Sequence, residues 1–165
     1  MKEDEEPPEF ERLIRNDKLY FVFLLDRSGS MADHRRMDKA KDALILFLRS
    51  LPAHCKFSIV SFGTDSDFLE VDDNNIIDYN EKNLHEAIQH IHQFSANMNG
   101  TDIATPLQMA ISMSEFLEGE NMKQRVFILT DGTVPNPQEV IDLCKDPSIV
   151  VSTIGIGDEI DRNML

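Results

Sequence analysis

Apolar runs alternate with amphipathic ones along most of this chain, and that alternation constrains its fold more than any other feature. "LYFVFLLD", Leu19 to Asp26, is continuous and apolar, the pattern of a strand covered on both faces. "RMDKAKDALILFLRSL" then places Met37, Ala40, Leu44, Phe47, Leu48 and Leu51 on one side at helical spacing, with Pro52 beyond the stop. "CKFSIVSFGT" reads as a second strand closed by Gly63, and "DFLEVDD" as a short polar strand pairing with it at the sheet edge. "EKNLHEAIQHIHQF", with Leu84, Ile88, Ile91 and Phe94, is an amphipathic helix. So is "DIATPLQMAISMSEFLEG", with Ile103, Leu107, Ala110, Ile111 and Leu117, stopped by Gly119. "QRVFILTDG" and "SIVVSTIGIG" add two apolar strands around a short helix in "NPQEVIDLCKD" that carries Val140, Ile141 and Cys144. The order strand, helix, two strands, two helices, strand, helix, strand predicts an α/β domain. Its sheet is doubly wound and mostly parallel, with one antiparallel edge strand and helices on both faces in three layers.

The totals narrow the function. A chain of 165 residues fits one domain, and its 41% hydrophobic residues are those of a globular protein. The longest apolar run, Leu19 to Leu25, is far too short to cross a bilayer, so membrane insertion is not expected. Thirty acids against 16 bases leave a net charge of −14, which repels phosphate backbones and disfavours nucleic acid while attracting metal ions or basic partners. Cys55 and Cys144 are far apart with no C-x-x-C, so both are expected to be unpaired thiols. Residues 1–16, opening "MKEDEEPPEF", read as an acidic tail or linker without the apolar core of a secretory signal, and residues 17–165 as the domain.

Two apolar strands end in an aspartate: "FVFLLD" at Asp26 and "VFILTD" at Asp131. In a parallel sheet both ends open on one rim, where ligands of such folds bind. Ser28 and Ser30 follow Asp26 at alternate positions, and Gly29 is expected to let the chain curl so that the three oxygens share a centre. "NGTD" at Asn99 to Asp102 starts a helix and brings a further hydroxyl, Thr101. Carboxylate and hydroxyl oxygens without nitrogen or sulfur suit a hard cation, Mg²⁺ first, with Mn²⁺ or Ca²⁺ as alternatives. Two carboxylates neutralise a divalent ion, and the neutral hydroxyls leave it electrophilic toward an incoming acid.

At these residues the sequence resembles the von Willebrand factor A domain, a Rossmann-like fold. "DRSGS" matches the D-x-S-x-S element of that family's metal-ion-dependent adhesion site, "NGTD" its threonine-bearing loop and "LTDG" its aspartate-bearing loop. The resemblance covers roughly residues 17 to 165. It implies a metal set of Asp26, Ser28, Ser30, Thr101 and Asp131, and metal-dependent recognition of a protein partner presenting Asp or Glu. Within the family, "FSIVSFG", "VFILTDG" and "VSTIGIGDEIDRNML" look most like the group of the inter-alpha-trypsin inhibitor heavy chains. "DEIDRNML" resembles the start of the family's last helix, most of which would then be missing, and the resemblance implies a larger multidomain chain around this one.

Other readings compete less well. A Mg²⁺-dependent phosphohydrolase of the haloacid dehalogenase type would need Asp-x-Asp, and Ser28 stands where its general acid belongs. "GIGDEI" lacks the third glycine of a dinucleotide fingerprint, and no G-x-S-x-G surrounds Ser28 or Ser30, so no enzyme is expected. A scaffold module that binds partners without metal is the remaining alternative. His85, His90 and His92 do not share an i, i+4 face and read as solvated. Asp33 would join a second cation site in some integrin relatives, but His34 stands where those carry another acid. Asn99-Gly100-Thr101 is a glycosylation sequon inside the metal loop, where a glycan would crowd the ligand face, and this favours a cytoplasmic over an extracellular setting.

Overall fold

The computed structural model describes residues 18–117, 119, 122–132, 136–145, 147 and 149–157. The expected acidic tail at 1–16 and the expected start of a last helix at 158–165 lie outside the described residues. The elements in chain order are β1 (Lys18–Asp26), α1 (Arg36–Arg49), β2 (Lys56–Phe62), β3 (Ser66–Phe68), β4 (Ile77–Asp78), α2 (Glu81–His92), α3 (Ala104–Met113), β5 (Met122–Thr130), α4 (Pro137–Leu143) and β6 (Ile149–Gly155). Short 3₁₀ turns at Gly29–Arg35 and Ser114–Leu117 complete the described elements.

One sheet runs in the order β3-β2-β1-β5-β6, with β1, β2, β5 and β6 parallel. The expected antiparallel edge strand is β3, and the two-residue β4 continues the same edge against the start of β2. The strand expected across "DFLEVDD" stops at Phe68 because the chain turns back on itself. Val71 bridges Asn74, and Asp72 and Asp73 take left-handed backbone angles, φ 50° and 62°, which aspartate tolerates better than most side chains.

The unbroken apolar run of β1 is explained by its place between β2 and β5, with a helix layer on each face. Phe23 and Leu25 pack with Phe57, Ile59 and Leu129 under α1 and α2. Tyr20, Val22 and Leu24 pack with Val60, Val126 and Ile128 under α3 and α4. Met37, Ala40, Leu44 and Leu48 form the buried stripe of α1, while Phe47, half-buried, packs against Phe127 in a tilted pair with ring centroids 5.5 Å apart. Leu44 is fully buried in this layer, so Leu44→Ala is expected to lower unfolding stability by about 3 kcal/mol, read from the urea midpoint by circular dichroism.

Both cysteines are free, Cys55 buried and Cys144 half-buried, and His85, His90 and His92 are exposed on or at the end of α2. Among the described residues no helix is long and apolar enough to cross a membrane.

Candidate metal centre

The rim at the C-terminal ends of β1 and β5 carries both aspartates. Parallel pairing sets Leu25 beside Leu129, so Asp26, the last residue of β1, lies next to Thr130, the last of β5, with Asp131 one step further. Asp26 is fully buried and Asp131 is 3% exposed. Thr130 Oγ1 donates to Asp26 Oδ2 at 2.7 Å, and the backbone N–H of Ser28 donates to Oδ1 at 2.8 Å, so both carboxylate oxygens are held. Burial pushes the Asp26 carboxyl above the usual carboxylate range. Hydrogen bonds from Ser28 and Thr130 oppose that rise, and the nearby Asp131 charge adds to it.

Beyond Asp26 the chain curls at once into the 3₁₀ turn, with Ser28 extended at its start. The curl brings Ser28 Oγ within 3.2 Å of Ser30 Oγ. The curl expected at Gly29 is made without a left-handed conformation at that residue. The strained backbone sits later, at His34 and Arg35, with φ of 51° and 57°. What Gly29 supplies is its N–H, which donates to Asn99 O at 2.7 Å.

That bond is one of several that bring the third loop to the rim. Met98 N donates to Arg27 O at 2.9 Å, Thr64 N to Met98 O at 2.8 Å, Gly100 N to Thr64 Oγ1 at 2.9 Å and Asp102 N to Gly63 O at 2.8 Å. Arg27 reinforces the junction: its Nε donates to Ser95 O at 2.9 Å, its Nη2 to Asn97 Oδ1 at 2.8 Å, and its guanidinium lies 4.5 Å from the centre of the Phe94 ring. Thr101, half-buried, is thereby carried beside the strand ends. Asn99 is exposed and takes φ 63°, a conformation asparagine adopts at low cost, which accounts for a non-glycine residue at this turn.

The helix expected from Asp102 begins at Ala104, and its first turn is bonded by the side chain of Asp102. Its carboxylate accepts from Thr105 N at 3.2 Å and from Thr105 Oγ1 at 2.6 Å, leaving the Thr101 hydroxyl uncommitted to the helix start. Asp33 is exposed on the 3₁₀ turn.

Three residues at this rim escape a reading of motifs: Thr130, Arg27 and Arg36. Thr130 precedes Asp131 in "LTDG", and the one-residue offset between two parallel strands that both end in Asp was the signal for it. Arg36 reaches the rim from the first turn of α1, with Nη1 3.6 Å from Asp131 Oδ2 and 3.1 Å from the Ser30 carbonyl oxygen.

The donor set can be tested against a hard divalent ion. At roughly 2.0–2.1 Å from an octahedral centre, neighbouring ligand oxygens lie about 3.0 Å apart, close to the separation of the two serine hydroxyls. Asp26 and Asp131 are buried carboxylates on the same rim that would supply neutralising charge to such an ion. Among the described residues no three His, Cys, Asp or Glu side chains gather as a metal site. These residues suit Mg²⁺ or Mn²⁺ by donor type and do not suit a thiophilic ion.

Comparison with known proteins agrees with this architecture. A von Willebrand factor A domain-containing protein of Dictyostelium discoideum is 34% identical over 163 residues, covering 96% of this chain and 17% of its own length. The chain therefore spans about a sixth of that relative. A solved von Willebrand factor type A protein from Catenulispora acidiphila superposes with a TM-score of 0.76 at 19% identity, over 90% of this chain and 35% of that one. Manganese-loaded TRAP protein of Plasmodium vivax gives a TM-score of 0.69 at 16% identity, over 90% and 61%. Proximal thread matrix protein 1 from the mussel byssus, solved with a zinc-occupied MIDAS motif, gives 0.68 at 19% identity, over 90% and 40%. These structural likenesses are of fold. The family model for the von Willebrand factor type A domain matches residues 20–165, and with it this chain belongs to the von Willebrand factor type A domain family.

Proposed function

We propose that this domain is a protein-interaction module that recognises an acidic side chain of a partner through a divalent ion held at the strand ends. Asp26, Ser28, Ser30, Thr101 and Asp131 are the residues that hold the ion, a complete metal-ion-dependent adhesion site, with Mg²⁺ as its physiological occupant and Mn²⁺ or Ca²⁺ as substitutes. The observation that carries this reading is the pair of serine hydroxyls 3.2 Å apart beside two buried carboxylates on one rim. Manganese in the Plasmodium vivax neighbour and zinc in the mussel neighbour support a metal role for the same fold. When bound, the ion supplies an electrophilic coordination position for a partner's Asp or Glu carboxylate.

This chain's own residues do the rest. Thr130 and the Ser28 N–H orient Asp26, the Gly29 N–H and Arg27 hold the Asn99–Thr101 loop in reach, and burial in a low dielectric strengthens every charge contact at the rim. The likeness of the "FSIVSFG", "VFILTDG" and "VSTIGIGDEIDRNML" blocks to the inter-alpha-trypsin inhibitor heavy chain group supports reading the chain as one module of a longer protein of that kind.

The test is a calorimetric titration of the chelator-treated protein with Mg²⁺, followed by pull-downs with Mg²⁺ and with chelator compared by mass spectrometry. Saturable one-site binding and partners lost on chelation are the expected results. No heat of binding with either Mg²⁺ or Mn²⁺ would overturn the reading.

A further inference from the structure

Arg36 opens α1, yet its side chain is turned back into the rim and is only 17% exposed. Nη1 faces both Asp131 Oδ2, at 3.6 Å, and the carbonyl oxygen of Ser30, at 3.1 Å. Nε is buried and has no hydrogen-bond partner among the described residues. The group is closed in from above: a Cβ on Gly157, two residues past the end of β6 with φ 114°, would come within 3.1 Å of Nε.

Burying a guanidinium with one nitrogen unsatisfied is costly, and the step that delivers it is costly as well. His34 and Arg35 both sit in the left-handed region, which side chains of this kind adopt only at a cost. A solvated arginine at the start of a helix would avoid both penalties. What offsets them is charge: Asp26 and Asp131 are buried carboxylates close enough to repel each other, and Arg36 brings a positive charge to the second of them.

We infer that Arg36 is a built-in counterion that holds the metal-free site and competes with the divalent ion for Asp131. This rests on the metal reading above and deepens it. A divalent ion at Asp131 would place two further positive charges beside a guanidinium that has little water to screen it. Ion entry and retreat of Arg36 are therefore one coupled event, and by linkage each weakens the other equally. Because Arg36 is the first residue of α1 and packs under Gly157, the coupling reaches the start of α1 and the chain just past the end of β6. Arg36 acts through Asp131 and is a positioning residue.

The experiment uses the chain with Arg36→Gln and Arg36→Lys and Mg²⁺ alone as probe. Arg36→Gln is expected to bind Mg²⁺ about tenfold more tightly than wild type. It is expected to melt about 5 °C lower in chelator and close to wild type at saturating Mg²⁺. Arg36→Lys, which keeps the charge, should return both readouts toward wild type. Equal or weaker Mg²⁺ binding by Arg36→Gln, or an equal loss of melting temperature with and without Mg²⁺, overturns the inference while leaving the metal reading in place. Absence of Mg²⁺ binding by wild type and variants alike overturns both. Should Arg36→Gln fail to fold without metal, the wild-type protein carries the test through the Arg36 Nε–H resonance. It should be protected from solvent exchange in chelator and lose that protection at saturating Mg²⁺, and an unchanged resonance overturns the inference.

Discussion

Gly63→Ala is expected to cost about 3 kcal/mol of unfolding stability and to weaken Mg²⁺ binding by about tenfold or more. A Cβ at this position would lie 2.7 Å from the carbonyl carbon of Met98 and overlap its oxygen. The obstacle is backbone, which cannot swing aside as a side chain would. It is also the backbone of the loop that carries Thr101, tied to the Gly63 region by Thr64 N to Met98 O and by Asp102 N to Gly63 O. Relief of the overlap therefore moves Thr101, a member of the proposed metal set. Gly29→Ala is the matched control, because its Cβ would meet Asn99 O at 3.7 Å, an ordinary contact. That variant should stay within about 0.5 kcal/mol of wild type. Urea unfolding followed by circular dichroism ranks the two, and equal effects would show that the approach of the Met98 loop is not what Gly63 provides.

Asp26 carries the other large effect. Asp26→Ala and Asp26→Asn should each reduce Mg²⁺ affinity by about a hundredfold or more, since the position contributes one of only two carboxylates in the proposed set. Stability separates the two variants. Asp26→Ala leaves the Thr130 hydroxyl and the Ser28 N–H without their acceptor in a buried place and should destabilise the metal-free protein by about 2 kcal/mol. Asp26→Asn keeps an acceptor oxygen and removes a buried charge.

The sign follows from burial, which raises the Asp26 carboxyl above its usual range. Between the ordinary carboxylate value and the raised one, the folded, metal-free protein holds a proton that the unfolded chain releases, so this contribution to stability is present at low pH and is lost as pH rises through the raised value. Melting temperatures in chelator should show Asp26→Asn gaining on wild type as pH rises above the ordinary carboxylate value. Saturating Mg²⁺ should reverse the order at neutral pH. An Asn variant that melts below wild type in chelator across that range would sink this account of Asp26.

Much of the architecture was legible because it depends on local patterns. A continuous apolar run belongs between two helix layers, and β1 lies there. A stripe such as Met37, Ala40, Leu44 and Leu48 must face a sheet, and it does. Where local reading slipped, a short polar group had taken over the backbone. Asp102, expected inside α3, lies before it and accepts an N–H of its first turn, and Asp72 and Asp73 turn the chain where a strand was expected. The curl expected at Gly29 is made by the 3₁₀ turn without positive φ at that residue. The left-handed strain fell instead on His34 and Arg35, residues that announce no turn in a sequence.

By itself, then, the sequence determined which segments are strands and helices, that two strands end in acids, and that the oxygens near them are those a hard cation prefers. Tertiary structure alone decided how these groups are held. Thr130 reaches Asp26 across 104 residues of chain, Arg27 reaches Asn97 across 70, and Arg36 turns back to Asp131 from the next element. The physical reason is that period and burial act along a segment and can be read from neighbours in sequence. The partner of a buried charge depends on strand register, on the reach of a side chain, and on which loop can approach a glycine closely enough to touch its backbone.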